Sequence, residues 1–141
     1  MELVWTDQLS IGNEAIDSEH KILLDMVGDI VHAIKAGENI ALIEAFKALK
    51  DWLQAHFENE RKIAQAINLP FTRQQQAQQY SLKELELLKN ELLAKEGSWS
   101  ESAAEHYANF LENWIVDEHI VKIDMPMKSA LQKYPYNFSP A

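Results

Sequence analysis

The sequence predicts an all-α fold, an up-down-up-down four-helix bundle preceded by an N-terminal arm. Apolar residues recur every three or four positions along four separate stretches, which is the spacing of one face of an α-helix. Short turns containing Gly or Pro separate these stretches, so consecutive helices are expected to run antiparallel. The chain has 141 residues, the size of one domain, and the bundle is expected over about residues 16–130.

The first two helices are predicted from apolar stripes on either side of a glycine turn. The stripes cover residues 16–34 and 42–67, each at helical spacing. Asp17 or Ser18 is expected to cap the first helix, because short polar side chains accept hydrogen bonds from the free N–H groups at a helix N-terminus. Gly37 is expected just beyond its C-terminus, where glycine readily adopts the left-handed conformation.

The third and fourth helices are predicted after a break at residues 68–70, where Asn-Leu-Pro ends the second stripe. The third helix is expected over about residues 72–92. A turn follows at residues 96–100, and Ser100 is a candidate N-cap of the fourth helix. That helix is expected to run to about Pro126.

The two ends of the chain are expected to lie outside the bundle. Residues 1–15 should form the arm, with Val4 and Trp5 packing against the helices. Residues 131–141 contain too much proline and aromatic sequence for a helix and should form a tail. Because no repeat or linker divides the sequence, residues 1–141 are expected to form a single domain.

Composition argues against several classes of function. There are 13 basic and 22 acidic residues, giving a formal net charge of −9, so neither nucleic acid nor an anionic membrane is an expected partner. The absence of cysteine excludes thiolate metal sites, Fe–S clusters and cysteine nucleophiles. The first residues lack the pattern of a signal peptide and no apolar run is long enough to span a bilayer, so we expect a cytoplasmic protein.

Several polar residues lie on the apolar stripes and need partners inside the bundle. They are His20, His56, Glu60, Gln75, Gln79 and His119. In a helical hairpin, two residues at the same height have numbers that average to the middle of the turn. This rule places all six at about one height; His20 and His56, for example, average 38, which lies within the first turn. The other two histidines, His32 and His106, lie off the stripes and are expected at the surface.

One further acidic residue belongs with this set. Asp124 follows His119 by five residues, which is about 140° around an α-helix. It is expected to reach the bundle axis from the helix end, or where the helix is overwound. Imidazoles and carboxylates that converge inside a bundle are the ligands that a first-row metal ion needs.

The sequence resembles the bacterial hemerythrins, four-helix bundles that hold two non-haem irons and bind O2 reversibly. The resemblance covers nearly the whole chain: a Trp-containing arm, Ile-Asp-Ser-Glu-His at 16–20, His-x-x-x-Glu at 56–60 and His-x-x-x-x-Asp at 119–124. The order and spacing of these motifs are more specific than any one of them. The resemblance implies five metal ligands, His20, His56, Glu60, His119 and Asp124.

The third helix departs from the family pattern. The family has His-x-x-x-His there, with its first histidine fifteen residues after the glutamate. At that spacing this sequence has Gln75 and Gln79, so we expect both of these ligand positions to be lost. No histidine lies between His56 and His106 to replace them.

The loss falls on one of the two irons. The resemblance implies that His20 and His56 hold the first iron, that the two missing histidines and His119 hold the second, and that Glu60 and Asp124 bridge the pair. An amide oxygen is a much poorer iron ligand than an imidazole, so the second site should be empty or very weak.

Three states of the site follow from this departure. A single metal ion could be held by the two histidines and two carboxylates of the first site, with or without His119. The site could instead be metal-free, with the two glutamines hydrogen-bonded to the remaining histidines and acids. In the third state, glutamine and water complete a dinuclear site.

The function expected from the resemblance is non-enzymatic binding of at most one iron, for O2, NO or iron itself. The alternative is a metal-free interaction or signalling module that binds a protein partner. A histidine phosphotransfer domain, in which His20 would be the phosphorylated residue, is disfavoured because that residue lies on a buried stripe.

Overall fold

The computed structural model describes residues 3–140, which are helical with no β-strand. Their four long helices are α1 (Glu14–Ala36), α2 (Asn39–Ala66), α3 (Thr72–Lys95) and α4 (Glu101–Asn113). Helix α4 is followed by a π-helical segment (Trp114–Asp124), a 3-10 turn (Met125–Met127) and a short helix α5 (Lys128–Leu131). Another 3-10 turn (Asp7–Leu9) precedes α1. This all-helical architecture is compatible with a helical bundle. Residues 1 and 2 of the predicted arm and residue 141 of the predicted tail lie outside the described residues.

The helices pack side by side around two apolar clusters. Helix α1 contacts α2 and α4, α2 contacts α3, and α3 contacts the π-helical segment. The larger cluster comes from the predicted stripes, and its fully buried members include Leu23, Val27, Ile30, Leu49, Leu53, Leu111 and Ile115. The smaller cluster comprises Ile11, Ile16, Ile63, Ala64, Ile67, Met127 and Leu131. Each fully buried leucine or isoleucine contributes roughly 2 kcal/mol, so these clusters provide most of the driving force for folding. Within residues 3–140, no helix is long and apolar enough to cross a bilayer.

Helix α1 begins earlier than its sequence suggests. Its N-cap is Asn13, whose side chain accepts a hydrogen bond from the Ile16 N–H, so the prediction of a cap at Asp17 or Ser18 is wrong. Gly37 does end the helix in the left-handed conformation, with φ of 65°. At the start of α4, Ser100 accepts from the Ala103 N–H, which confirms the predicted cap.

Asp17 is instead the acceptor that fastens both chain ends to α1. Its buried carboxylate accepts hydrogen bonds from the Ser10 hydroxyl at 2.5 Å, the Ile11 N–H at 3.0 Å and the Tyr136 hydroxyl at 2.8 Å. The Asn13 amide donates to the carbonyl of Phe138 at 3.0 Å. Residues distant in sequence therefore meet at the N-terminus of α1.

The segment before α1 packs through Trp5, as expected, and through three residues that were not predicted to do so. Trp5 is partly buried against the larger apolar cluster, as are Leu3 and Leu9. Val4 is 60% exposed, so its predicted role as a packing anchor is wrong. Ile11 is fully buried in the smaller cluster and is the deepest anchor of this segment.

Replacing Gly97 with alanine is expected to lower the free energy of unfolding by about 2 kcal/mol. Gly97 has φ of 84°, and a Cβ atom there would lie 2.7 Å from the Gly37 carbonyl oxygen in the opposite turn. The matched control is Gly28→Ala, because Gly28 lies within α1 with no atom within 4 Å of its ideal Cβ. That change should stabilise the protein by about 0.5–1 kcal/mol. Urea unfolding measures both, and equal effects would contradict the turn contact.

Candidate metal centre

Five buried side chains from three elements form one cluster between the two apolar clusters. Helix α1 supplies His20, α2 supplies His56 and Glu60, and the π-helical segment supplies His119 and Asp124. Each is at most 1% exposed. One ligand atom from each lies within 4.8 Å of all the others. The structure thus brings together all five residues that the sequence singles out, while their role as metal ligands stays a prediction.

Several of the candidate ligand atoms lie about 3 Å from one another. The Asp124 Oδ2 atom lies 2.7 Å from Nε2 of His20 and 3.0 Å from Nε2 of His119. The Nε2 atom of His56 lies 3.0 Å from both the Nε2 atom of His119 and the Oε1 atom of Glu60. Ligand atoms about 2.1 Å from one ion, at right angles to one another, are about 3 Å apart. The cluster is therefore compact enough to be a metal-binding group.

The same cluster contains buried polar atoms without a hydrogen-bond partner. They include Oε2 of Glu60 and Oδ1 of Asp124, one oxygen of each carboxylate. A buried polar group left unpaired costs about 1–3 kcal/mol, more when it is charged. The other oxygens of the same two carboxylates, Oε1 of Glu60 and Oδ2 of Asp124, face the histidines. The donor set, three imidazole nitrogens and two carboxylates, is the set that suits iron and other first-row divalent metals.

The pKa values of the two carboxylates of the cluster are shifted in opposite directions. Burial, and then the charge of Asp124, raise the pKa of Glu60 well above its usual range. Burial also raises the pKa of Asp124, but the charge of His119 and hydrogen bonds from its neighbours outweigh burial and hold that pKa well below its usual range. A divalent ion bound by this pair would compete with a proton on the carboxylate whose pKa is raised.

The pKa values of His20 and His56 are also shifted in opposite directions. Burial lowers the pKa of His20 to about 4, so its imidazole is neutral at pH 7. Burial also lowers the pKa of His56, but the charge of Glu60 and hydrogen bonds with Asp124 and Glu19 raise that pKa well above its usual range. Metal ligation requires the neutral imidazole at both positions.

The last helix reaches the cluster because its winding changes. The chain stays helical about as far as expected, but it is α-helical only to Asn113 and π-helical from Trp114 to Asp124. Hydrogen bonds in a π-helix join residues five apart, and this wider turn brings Asp124 onto the same face as His119. Of the two routes expected for Asp124, overwinding is wrong because the helix is widened, while Asp124 does lie at the end of the helix, as the last residue of the π-helical segment.

Helix α3 faces the cluster with a different pair of glutamines from the predicted one. Gln75 and Gln79 are exposed, so their predicted place at the site is wrong. The buried Gln78 donates a hydrogen bond from Nε2 to Oε1 of Glu60 at 3.0 Å. One turn earlier, Gln74 donates to the carbonyl of Ile123 at 3.0 Å.

The predicted pair of glutamines is wrong because averaging residue numbers gives the position of a residue along the helix axis. It does not give the direction in which the side chain points. A shift of one residue moves a side chain by only about 1.5 Å along the axis but turns it by about 100°. The inward face of α3 is shown by its buried residues, Gln78, Ser81, Leu85, Leu88 and Leu92. Their spacing of three and four residues, followed backwards, arrives at Gln74 and would have identified the correct pair.

Two further side chains contact the histidines of the cluster. The Glu19 carboxylate lies 2.6 Å from Nδ1 of His56, on the side away from the cluster. The Phe57 ring covers the histidines, with its centroid 5.9 Å from that of His56 and 5.4 Å from that of His119. The position of Glu19 directly before a candidate ligand is the only sequence signal for its role. His32 and His106 are exposed, as expected.

Part of the chain is similar to curated proteins of known class. A stretch of 71 residues, half of this chain, is 31% identical to the bacteriohemerythrin of Pseudomonas aeruginosa and covers 46% of that protein. The same figures describe the bacteriohemerythrin of Pseudomonas paraeruginosa. A stretch of 69 residues is 29% identical to the bacteriohemerythrin of Stenotrophomonas maltophilia and covers 45% of it.

These matches extend over about half the length of the curated relatives. No protein-family model and no solved structure matches the chain. The similarities support a hemerythrin-like family, and they agree in kind with the buried group of histidines and carboxylates.

Proposed function

We propose that this protein is a hemerythrin-like, non-enzymatic binder of a single iron ion, held by His20, His56, Glu60, His119 and Asp124. The observation that carries the proposal is the convergence of three Nε2 atoms and two carboxylates at the separations of ligands around one ion. An up-down-up-down bundle of one domain, in the cytoplasm, completes the proposal and rests on the sequence pattern.

The cluster has the charge and shape to hold such an ion. The two carboxylates balance the charge of a divalent cation, and the three imidazoles add neutral nitrogen donors. These five side chains would hold the ion, and a reduced iron held there would supply the capacity to bind O2 or NO. Phe57 and the apolar residues on either side keep bulk water from the centre.

A single ion is favoured over two because α3 presents amides to the cluster. The resemblance would require two histidines from α3 for a second iron. The inward positions carry Gln74 and Gln78, whose amides already donate to the carbonyl of Ile123 and to Glu60. Amide oxygens are weak ligands for iron, so this side of the cluster would not retain a second ion.

Titration of chelator-treated protein with Fe²⁺ under anaerobic conditions tests the proposal. We expect about one equivalent bound per chain, and binding should be lost in His20→Ala and in His119→Ala, since each removes a buried donor nitrogen. The matched controls are His32→Ala and His106→Ala, which remove exposed imidazoles and should bind as the wild type does. Equal losses in the control variants would contradict the assignment.

A metal-free interaction module is the second candidate, because the cluster is partly paired without a cation. His20 bonds to Asp124 at 2.7 Å, and the amide of Gln78 bonds to Glu60 at 3.0 Å. Elemental analysis of protein purified from iron-supplemented cells separates the two candidates. Near-stoichiometric iron supports the binding protein. Protein that is well folded and free of transition metal supports the interaction module.

A further inference from the structure

The outer side of His56 contacts a carboxylate from another helix. Oε1 of Glu19, on α1, lies 2.6 Å from Nδ1 of His56, on α2. Glu19 is 16% exposed and the imidazole is fully buried, so this hydrogen bond is partly buried. An ionised carboxylate can accept a hydrogen bond but cannot donate one. In this pair, Nδ1 of His56 is therefore the nitrogen that carries the proton. The Nε2 atom of the same ring then faces the cluster.

Glu19 is itself held in place from two sides. The Asn59 side-chain amide donates to its Oε2 atom at 2.7 Å, and the Trp52 indole donates to its main-chain carbonyl at 3.4 Å. Both donors lie on α2, one turn to either side of His56. The carboxylate therefore has a fixed position relative to the imidazole that it contacts.

The other two histidines of the cluster have no such partner. Nδ1 of His20 and Nδ1 of His119 are buried, and neither makes a hydrogen bond among the described residues. The three imidazoles thus differ on their outer sides although their Nε2 atoms converge. Among residues 3–140, a carboxylate contacts the outer nitrogen of His56 but not that of His20 or His119.

We infer that Glu19 is the positioning residue of the centre: it orients the His56 ring and raises the basicity of its Nε2 atom toward a bound metal ion. A carboxylate on the outer nitrogen of a metal-binding histidine fixes the ring and strengthens it as a donor, and removing such a partner typically weakens metal binding by about 10- to 100-fold. The inference rests on the proposed function for the metal, but the ring contact itself does not.

Co²⁺ binding, followed by its visible absorption, tests the metal half of the inference. Glu19→Ala is expected to weaken Co²⁺ binding by about 10- to 100-fold at an unchanged stoichiometry. Glu19→Gln keeps an acceptor oxygen without the charge and should recover part of the loss. Glu58→Ala is the matched control, since it removes an exposed carboxylate from α2 that pairs with Arg61 instead. Wild-type affinity in Glu19→Ala, or an equal loss in Glu58→Ala, would overturn the inference.

NMR of the imidazole protons in metal-free protein tests the ring contact separately. A slowly exchanging Nδ1 proton of His56 is expected in the wild type and in Glu19→Gln, and its loss is expected in Glu19→Ala. If Glu19→Ala does not fold, Asn59→Ala replaces it in both experiments, with a faster-exchanging proton and weaker Co²⁺ binding expected. Persistence of the protected proton without its acceptor overturns the inference. If the wild type binds no Co²⁺, the proposed function fails, and the NMR result alone decides the contact.

Discussion

Replacing Gln74 and Gln78 together with histidine is expected to raise the number of ions bound per chain from one to two. These two side chains are four residues apart on the face of α3 that meets the cluster. Imidazoles there would face the carboxylate of Glu60, which has an unpartnered buried oxygen, as has Asp124. Elemental analysis of iron-loaded protein, dialysed against a weak chelator, measures the change.

The matched control for this experiment is the double variant Gln75→His and Gln79→His. It introduces the same residues at the same spacing but on the exposed face of α3. An exposed histidine pair binds divalent ions weakly, so dialysis should return this variant to one ion per chain. A second retained ion in this control, with none gained by the inward pair, would show that the face of α3 is wrongly assigned.

Replacing Asp17 with alanine is expected to lower the free energy of unfolding of the metal-free protein by about 3 kcal/mol. The carboxylate accepts hydrogen bonds from Ser10, Ile11 and Tyr136, and the N–H of the fully buried Ile11 would lose its acceptor. Urea unfolding followed by circular dichroism measures the loss.

Asp25→Ala is the control for that change. Asp25 is an exposed residue of the same helix, and substitutions of this kind usually alter stability by less than about 0.5 kcal/mol. A loss below about 1 kcal/mol in Asp17→Ala would mean that the carboxylate does not fasten the chain ends, since buried hydrogen bonds to a charged group contribute more than that.

The features that sequence could predict are those with local causes. The turn at Gly37, the start of α3 at Thr72 and the cap at Ser100 all occur where expected, because turn and cap residues act on their own neighbours. The helical spacing of His20 between apolar residues, and of the His56–Glu60 pair, likewise located the buried polar cluster. These inferences need only the geometry of one helix or one hairpin.

The features that sequence missed depend on contacts between distant residues. Asp17 has the chemistry of an N-cap, yet one of its carboxylate oxygens accepts a hydrogen bond from the hydroxyl of Tyr136, 119 residues away. The glutamines of α3 are chemically identical on the inward and exposed faces, so composition could not choose between them. The π-helical winding has no residue signature, and only the position of Asp124 in the cluster shows what it accomplishes.

The π-helical segment also bears on how this chain tolerates changes in length. Inserting or deleting one residue in a packed helix normally rotates every later side chain by about 100° and is seldom accepted. Loss of one residue between His119 and Asp124 would leave a spacing of four, which an ordinary α-helix places on one face. Rewinding would absorb the deletion and keep both side chains inward. We therefore expect the π-helical segment to tolerate the loss of one residue while the buried cluster is preserved.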